Sequence, residues 1–181
     1  MFFVCGKSNR RGLRVLVLAV AAVLSACAGP SSESKEVPRG VAQYQDPNGC
    51  SYLTGEACEI FKGANFQRVK NKLPVLKISA RCQAVAESHA ADMAKNRYLD
   101  HVSPKHGDFM SRATKAGLLG FVGENIAAGY DASGAMNAWM NSSPHRANLL
   151  DPRFVSTGVA VAVDRNGRPY YAQCFSDEAD L

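Results

Sequence analysis

The sequence predicts an α+β fold, because helical patterns fill the first two-thirds of the folded part and strand patterns follow them. The 181-residue chain is 46% apolar, which is enough to build one sizeable core. Two β-rich runs, residues 159–163 and 170–175, flank the dipeptide Asn166-Gly167, which is typical of a hairpin with a loop longer than two residues. Strands grouped at the end indicate α+β rather than repeated βαβ units.

Residues 1–26 are typical of a bacterial lipoprotein signal peptide. Four cations precede an apolar run over residues 15–24, which is shorter than the roughly 20 residues needed to span a bilayer. Small residues then precede Cys27, similar to a lipobox, whose cysteine receives acyl chains, including palmitate, and becomes the new N-terminus. An ordinary secretory signal and an uncleaved membrane anchor are the alternatives. The residue after Cys27 is Ala28. By resemblance to lipoprotein sorting rules, it favours the outer membrane, where the protein would face the periplasm or the cell surface.

The excess of positive charge lies in this leader. The full chain has a net charge of +5, from 21 Lys and Arg against 16 Asp and Glu, and residues 1–26 hold four cations and no acid. The rest therefore carries 21 − 4 = 17 cations against 16 anions, or +1. These cations are scattered, which argues against nucleic acid as a partner. The membrane, reached through lipid on Cys27, is the expected partner.

The leader is followed by a tether and one domain. Residues 27–45 are rich in Ser, Pro, Gly and charge without an apolar period, so we predict a lipidated N-terminus and a flexible tether before a domain over 46–181. A first helix is predicted over about residues 56–72, with four inward side chains: Ile60, Phe61, Ala64 and Val69. Ser79 is the predicted N-cap of a second helix over residues 80–96, whose apolar face comprises Cys82, Val85, Ala86, His89 and Met93.

Shorter elements are predicted between the second helix and the hairpin. A short helix over residues 109–116 is closed by Gly117, and residues 121–130 form a turn and an irregular strand. Ser133 caps a helix over residues 134–141, and Pro144 begins a further helical turn over residues 144–150.

Four cysteines besides Cys27 and Cys5 allow three disulfide pairings. We favour Cys50–Cys58, whose members are close in sequence, which leaves Cys82–Cys174. Export makes oxidation available, while free thiols remain the alternative. The second bond would close a loop of about 90 residues, which stabilises by roughly 4.5 kcal/mol on loop entropy.

Three polar segments, residues 100–104, 123–127 and 139–148, contain the candidate site. Two neutral imidazoles from such segments can bind a divalent ion, with a carboxylate as a third ligand or as a base for a bound water. The spacing alone does not show that the three segments converge.

The order of motifs over residues 58–176 resembles the CAP superfamily (cysteine-rich secretory proteins, antigen 5 and pathogenesis-related proteins), in its bacterial SCP-domain branch. The matching residues, in chain order, are Asn65, Arg68, Leu73 to Leu76, Ala86 to Ala94, Asp100, His101, Gly107, Arg112, Gly123 to Ile126, Trp139, Ser143 to Arg146, Asn148 to Leu150, Gly158 to Ala160 and Tyr171 to Phe175.

This resemblance implies a three-layer α-β-α sandwich with a central, mostly antiparallel sheet. It also implies a cleft lined by two histidines, His101 and His145, and by a first glutamate, Glu124. The second glutamate of many eukaryotic members, in a W-x-x-E pattern, is absent, since Trp139 is followed by Met140, Asn141 and Ser142. The departure weakens a hydrolase assignment and leaves Zn²⁺ or another divalent cation as the possible cofactor.

The function expected on this basis is that of a non-catalytic binding module of the cell envelope, which binds a lipid, a cell-wall fragment or a protein. The protein is expected to be a monomer. The alternatives are a metal-assisted, peptidase-like hydrolase using zinc on His101 and His145 with Glu124 as base, and a structural protein with an unused cleft.

Six other residues have expected structural roles. His89 and Trp139 belong to the core and His106 to an exposed loop. Asn125 and Asn148 hold the backbone of the cleft, and Arg146 pairs with a carboxylate.

Overall fold

The computed structural model describes residues 50–51, 53 and 55–179. The predicted signal peptide (1–26), the lipidation site Cys27, the tether (27–45) and the predicted start of the domain lie outside the described residues. Within the described part of the chain, each helix is too short or too polar to cross a bilayer.

Five helices and four strands make up the described fold. They are, in chain order, α1 (Gly55–Lys70), β1 (Lys77–Ile78), α2 (Ala80–Asn96), α3 (Phe109–Lys115), β2 (Val122–Ala128), α4 (Ala132–Asn141), α5 (Ser143–Leu150), β3 (Ser156–Val163) and β4 (Pro169–Ser176). The α+β class predicted from the sequence is confirmed.

The strands form one sheet in the order β1-β3-β4-β2. β4 pairs antiparallel with both β3 and β2, and only the two-residue β1 runs parallel to its neighbour β3. The sheet is therefore mostly antiparallel, and the β3–β4 hairpin forms its centre. Its loop contains Asn166-Gly167, as predicted, and Gly167 adopts a φ of +82°, which glycine tolerates without steric cost.

Helices cover both faces of the sheet, which gives three layers. One apolar cluster joins α1, α4 and α5 to one face and includes Trp139, Phe154 and Tyr171. The other joins α2 and α3 to the opposite face and includes Met93 and Leu118. Each side of the sheet thus has its own core, as expected for a three-layer sandwich.

Helix α2 packs on β3 closely enough to require a glycine in the strand. A Cβ atom built on Gly158 would lie 2.1 Å from the backbone nitrogen of Gln83, well inside any allowed contact. Beside this contact, Cys82 of α2 and Cys174 of β4 form a disulfide, with Cα atoms 5.3 Å apart. The second disulfide joins Cys50 to Cys58. Both favoured cysteine pairs are therefore present in the structure.

Helix starts follow the capping chemistry of the sequence with one correction. Ser79 caps α2 by accepting a hydrogen bond from the Cys82 backbone N–H at 3.2 Å, as predicted. The prediction that Ser133 caps the next helix is wrong. The cap is Asp131, whose Oδ1 accepts from Gly134 N at 2.7 Å, so α4 begins two residues earlier.

The strand predictions also need correction. Residues 122–128 were expected to be irregular, yet they form a regular seven-residue strand paired with β4 along its whole length. Its buried positions include Glu124 and Asn125, and these polar residues break the apolar pattern by which a strand is recognised. β1 was not predicted, because two residues carry no periodicity.

Helix α1 differs from its prediction in which side chains face inward. Ile60, Phe61 and Ala64 are buried as expected, whereas Val69 is only half-buried. Asn65 and Arg68 are fully buried in its place. Periodicity assigns polar residues to solvent, so it could not place these two side chains inside.

Candidate functional site

Glu124 is the centre of the candidate site. It projects from β2 and its side chain is only 2% exposed. Its Oε1 lies 2.8 Å from Nδ1 of His101, and its Oε2 lies 2.7 Å from Nη2 of Arg112. Both carboxylate oxygens are therefore engaged by protein side chains, and the buried negative charge is compensated by a guanidinium.

Arg112 of α3 connects Glu124 to the loop that carries His101. Its Nη1 donates to the carbonyl oxygens of His101 and Gly107, each at 2.8 Å. The same guanidinium thus fixes both the backbone of His101 and the carboxylate that receives the His101 ring. The ring is oriented from two directions, although the side chain is 49% exposed.

The loop between His101 and α3 is closed by its own hydrogen bonds. Ser103 and Gly107 exchange backbone hydrogen bonds of 2.9 and 3.0 Å. The Ser103 hydroxyl donates to the buried carboxylate of Asp92 at 2.6 Å, and Tyr98 donates to the same oxygen at 2.5 Å. Burial raises the pKa of Asp92, but these hydrogen bonds outweigh it and bring the pKa below its usual value.

His145 reaches the site from α5. Asn125, the neighbour of Glu124 on β2, donates to the His145 carbonyl oxygen at 3.0 Å. Asn148 donates to the Glu124 carbonyl at 3.1 Å and to Oδ1 of Asn125 at 2.9 Å. The two asparagines therefore tie α5 to β2 and hold the cleft backbone, which is the role expected for them.

The two histidines interact electrostatically. The pKa of His145 is lowered, first by burial of the imidazole and second by the charge of His101. A lowered pKa keeps the imidazole neutral over a wider pH range, and a neutral imidazole is the form that binds a cation.

The imidazoles of His101 and His145 are the candidate ligands for a divalent cation. In the tautomer in which Nδ1 of His101 donates to Glu124, the other ring nitrogen would face a cation with its lone pair, as in carboxylate–histidine–metal arrangements. Among the described residues, no group of three or more His, Cys, Asp or Glu side chains is placed to bind a metal ion together. A cation would therefore take the imidazoles of His101 and His145, and water or a ligand would fill its remaining positions.

Two further histidines lie outside this donor set. His89 is fully buried, and its Nε2 lies 2.9 Å from the Asp100 carbonyl oxygen. Its Nδ1 has no hydrogen-bond partner among the described residues, so this core histidine is only half satisfied. His106 is half-buried rather than exposed, and its backbone N–H donates to the Ser103 hydroxyl.

Trp139 and Arg146 complete the predicted set. Trp139 is a core residue, 1% exposed, whose indole N–H donates to the Ile126 carbonyl. The expectation that Arg146 pairs with a carboxylate is not met among the described residues. Its Nη1 donates to the Met140 carbonyl oxygen of α4 instead, from the first turn of α5.

The family of the chain follows from its sequence. The profile of the cysteine-rich secretory protein family (CAP) matches residues 65–175, more than half of the chain. The chain belongs to this family, which confirms the resemblance read from the ordered motifs.

Two curated relatives come from Bacillus subtilis (strain 168). The uncharacterized membrane protein YlbC is 38% identical over 120 residues, which cover 65% of this chain and 33% of that protein. The uncharacterized protein YkwD is 36% identical over 97 residues, covering 52% of this chain and 38% of that one. The chain thus spans about a third to two-fifths of the length of the curated relatives it matches.

Solved structures share the fold. An extracellular protein with an SCP domain from Bacillus anthracis str. Ames superposes with a TM-score of 0.61 at 34% identity, covering 68% of this chain and 41% of that one. An outer surface protein from Borrelia burgdorferi superposes with a TM-score of 0.62 at 21% identity, covering 66% and 90%. The second likeness concerns the fold alone. The three-layer fold predicted from the resemblance is confirmed.

Proposed function

We propose that this protein is a lipid-anchored binding module of the bacterial cell envelope that holds its ligand without catalysis. The proposed binding site lies between His101 and His145, whose two imidazoles would hold a divalent cation. The observation that carries the proposal is the position of Glu124, whose two carboxylate oxygens are both engaged.

A hydrolase would need a free base at this place. A general base must accept a proton from a water that lies within hydrogen-bond reach. Oε1 of Glu124 is engaged with the His101 ring and Oε2 with Arg112, and the side chain is 2% exposed. These contacts support an orienting role for Glu124 over the role of base. The second glutamate of the family is also missing after Trp139.

Exposed apolar side chains close to His101 in sequence support a ligand that has an apolar part. Leu99 and Val102, which flank His101 in sequence, are 48% and 54% exposed, and Met110 at the start of α3 is 54% exposed. Exposed apolar side chains grouped beside a polar site are typical of surfaces that bind a partially apolar molecule. Among the candidate ligands, a lipid combines a polar head for the histidines with apolar chains for these exposed side chains.

The location follows from the leader and from the relatives. Residues 1–26 have the pattern of a lipoprotein signal peptide, and Cys27 stands where such a peptide is cut. One relative is described as a membrane protein and one structural neighbour as extracellular. Together these support acylation of Cys27 and anchoring at the cell envelope, with Ala28 favouring the outer membrane. Palmitate labelling that persists in Cys27→Ser would refute the anchor.

Lipid extraction followed by mass spectrometry tests the binding module. Purified protein should release a defined lipid, and His101→Ala/His145→Ala should release much less of it. His106→Ala is the matched control, because it removes a histidine outside the cleft and should leave the yield unchanged. Equal yields from all three proteins would contradict binding in this cleft.

An assay panel of peptidase and esterase substrates tests the alternative. Turnover by the wild type that disappears in Glu124→Gln would favour the hydrolase and overturn the non-catalytic role.

A further inference from the structure

One edge of β3 is only partly covered. The residues of β3 with odd numbers direct their backbone N–H and C=O groups away from β4, toward β1. Just before β3, the Val155 carbonyl accepts from Lys77 N at 3.1 Å, although the Val155 N–H donates to the Ser176 carbonyl of β4. Within β3, the Thr157 carbonyl accepts from Ser79 N at 2.9 Å. β1 ends after these contacts, since its register with β3 comprises only two residue pairs.

Beyond the end of β1, the side chain of Gln83 covers the edge of β3. The amide of Gln83 donates from Nε2 to the Val159 carbonyl and accepts from Val159 N at Oε1, both at 2.9 Å. It reproduces the pair of hydrogen bonds that a neighbouring strand would make. The alternation along the strand then places the N–H and C=O groups of Val161 and Val163 on the same side.

These four backbone groups have no strand beside them in the described part of the chain. The even-numbered positions bond to β4, as the hydrogen bond from Asp164 N to the Arg168 carbonyl at 2.9 Å confirms at the hairpin end. Val163 is 60% exposed although it is a large apolar residue. An exposed strand edge of this kind readily pairs with another strand.

The surroundings of this edge carry opposite charges at its two ends. A groove of about 350 Å³ beside Val159 and Val161 is lined by Glu56 and Glu87. A second hollow of about 450 Å³ continues past Val163 and is lined by Lys95 and Arg165. If β3 of a second copy paired antiparallel with this edge, the basic end of each copy would lie against the acidic end of the other.

We propose that β3 pairs antiparallel with β3 of a second copy of this chain, around a two-fold axis at Ala162. In this register Val161 lies opposite Val163 of the partner copy, and all four free N–H and C=O groups find partners. Beyond this paired segment, Arg165 of each copy approaches the groove of the other that contains Glu56 and Glu87, while Gln83 keeps its place beside Val159. The arrangement joins two four-stranded sheets into one and is independent of the histidine cleft, because Glu124 lies on β2 at the opposite edge.

A cysteine at the two-fold axis tests the register. Ala162 would face its own copy in a pair without hydrogen bonds, with Cα atoms about 4.5 Å apart, a distance at which a disulfide closes. We expect Ala162→Cys in the full chain to form a covalent dimer when cells are treated with a thiol oxidant. Val155→Cys is the matched control, since it exposes a thiol immediately before β3 at 42% residue exposure, outside the pairing region. Absence of the dimer, or equal dimer from both variants, would overturn the proposal.

A charge swap tests the orientation independently. Glu87→Arg and Arg165→Glu should each weaken association about tenfold, measured by sedimentation equilibrium of the purified full chain, and the double variant should restore it. Both side chains are exposed, so neither change should prevent folding. A double variant that is no stronger than the single ones would refute the antiparallel register. Hydrogen exchange of the Val161 and Val163 amides is a further check. If these amides stay protected to the same extent when the protein is diluted, another segment of the same chain covers this edge and the proposal is overturned.

Discussion

Two arginines are buried on opposite sides of the sheet, and they are compensated in different ways. Arg68 of α1 is fully buried and donates to the carbonyl oxygens of Pro74, Leu149, Asp151 and Phe154 at 2.7 to 3.1 Å. Arg112 of α3 donates to two carbonyl oxygens and to the carboxylate of Glu124.

The difference separates stability from function. Arg68 ties the segment after α1 to the end of α5 and the loop that follows it, and its partners are peptide groups that do not titrate. Burial lowers its pKa, while the charge of Asp151 acts in the opposite direction. Arg112 is paired with a carboxylate, and that carboxylate holds a histidine at the surface. The first arginine therefore stabilises the fold, and the second holds in place His101, a residue of the proposed binding site.

The largest expected effect is the loss of Arg68. Arg68→Met keeps much of the apolar volume but removes the guanidinium donor from four carbonyl oxygens, of which those of Leu149 and Phe154 are bonded in the buried interior. We expect a decrease of about 4 kcal/mol in the free energy of unfolding, measured by urea denaturation. The change should not alter ligand or cation binding at the cleft. A loss below about 1 kcal/mol would show that the loops do not depend on this side chain.

The next largest effect is expected for Glu124→Gln. It leaves the Arg112 guanidinium buried without its counter-charge, which costs about 3 kcal/mol. In a double-mutant cycle, Glu124→Gln and Arg112→Met should be strongly non-additive, because the two side chains are in contact. Glu124→Gln and Arg68→Met share no partner and should be additive within about 0.5 kcal/mol. An equal interaction free energy in the two double-mutant cycles would contradict the conclusion that the Arg68 region and the Arg112–Glu124 region are energetically independent.

A smaller loss of stability is expected when one N-cap hydrogen bond is removed on the same side of the sheet as Arg68. Asp131→Ala removes the N-cap of α4 and should cost about 1 kcal/mol, while Ser133→Ala, two residues on, should cost less than about 0.5 kcal/mol. Thermal unfolding of the two variants measures the difference. A larger cost for Ser133→Ala would restore the cap predicted from the sequence.

The smallest effect is expected in the dependence of stability on pH. Burial lowers the pKa of His89, and burial followed by the charge of His101 lowers the pKa of His145, both from 6.5. Because the unfolded chain binds these protons more readily, stability is complete above about pH 6.5 and falls as the pH decreases. His89→Gln should flatten this slope, and Arg68→Met should leave it unchanged. A slope unaffected by His89→Gln would exclude that histidine as its source.

The sequence was most informative where a local pattern decides the structure. Helix α2 begins and ends at the predicted residues, because Ser79 caps it and its apolar face repeats at helical spacing. β2 was not recognised as regular, since its inward positions carry Glu124 and Asn125. The burial of Arg68 was equally hidden, because its four carbonyl partners are set by the tertiary fold.

The candidate site was placed by the resemblance to the family rather than by spacing. The sequence did not indicate that Arg112 binds both the backbone of His101 and the carboxylate of Glu124. That arrangement depends on β2, α3 and the loop after α2 meeting in space, and contacts of this kind leave no periodic signal.

Zinc titration calorimetry tests the central claim, that Glu124 orients His101 and is not a base. We predict that the wild type binds zinc and that His101→Ala/His145→Ala does not. Glu124→Gln should bind zinc about 10- to 100-fold more weakly, because the Glu124 carboxylate orients the His101 imidazole that binds the metal. Arg68→Met, measured at a temperature where it is folded, is the control for lost stability and should bind as the wild type does. No binding by the wild type, or an affinity unchanged by Glu124→Gln, would contradict the account.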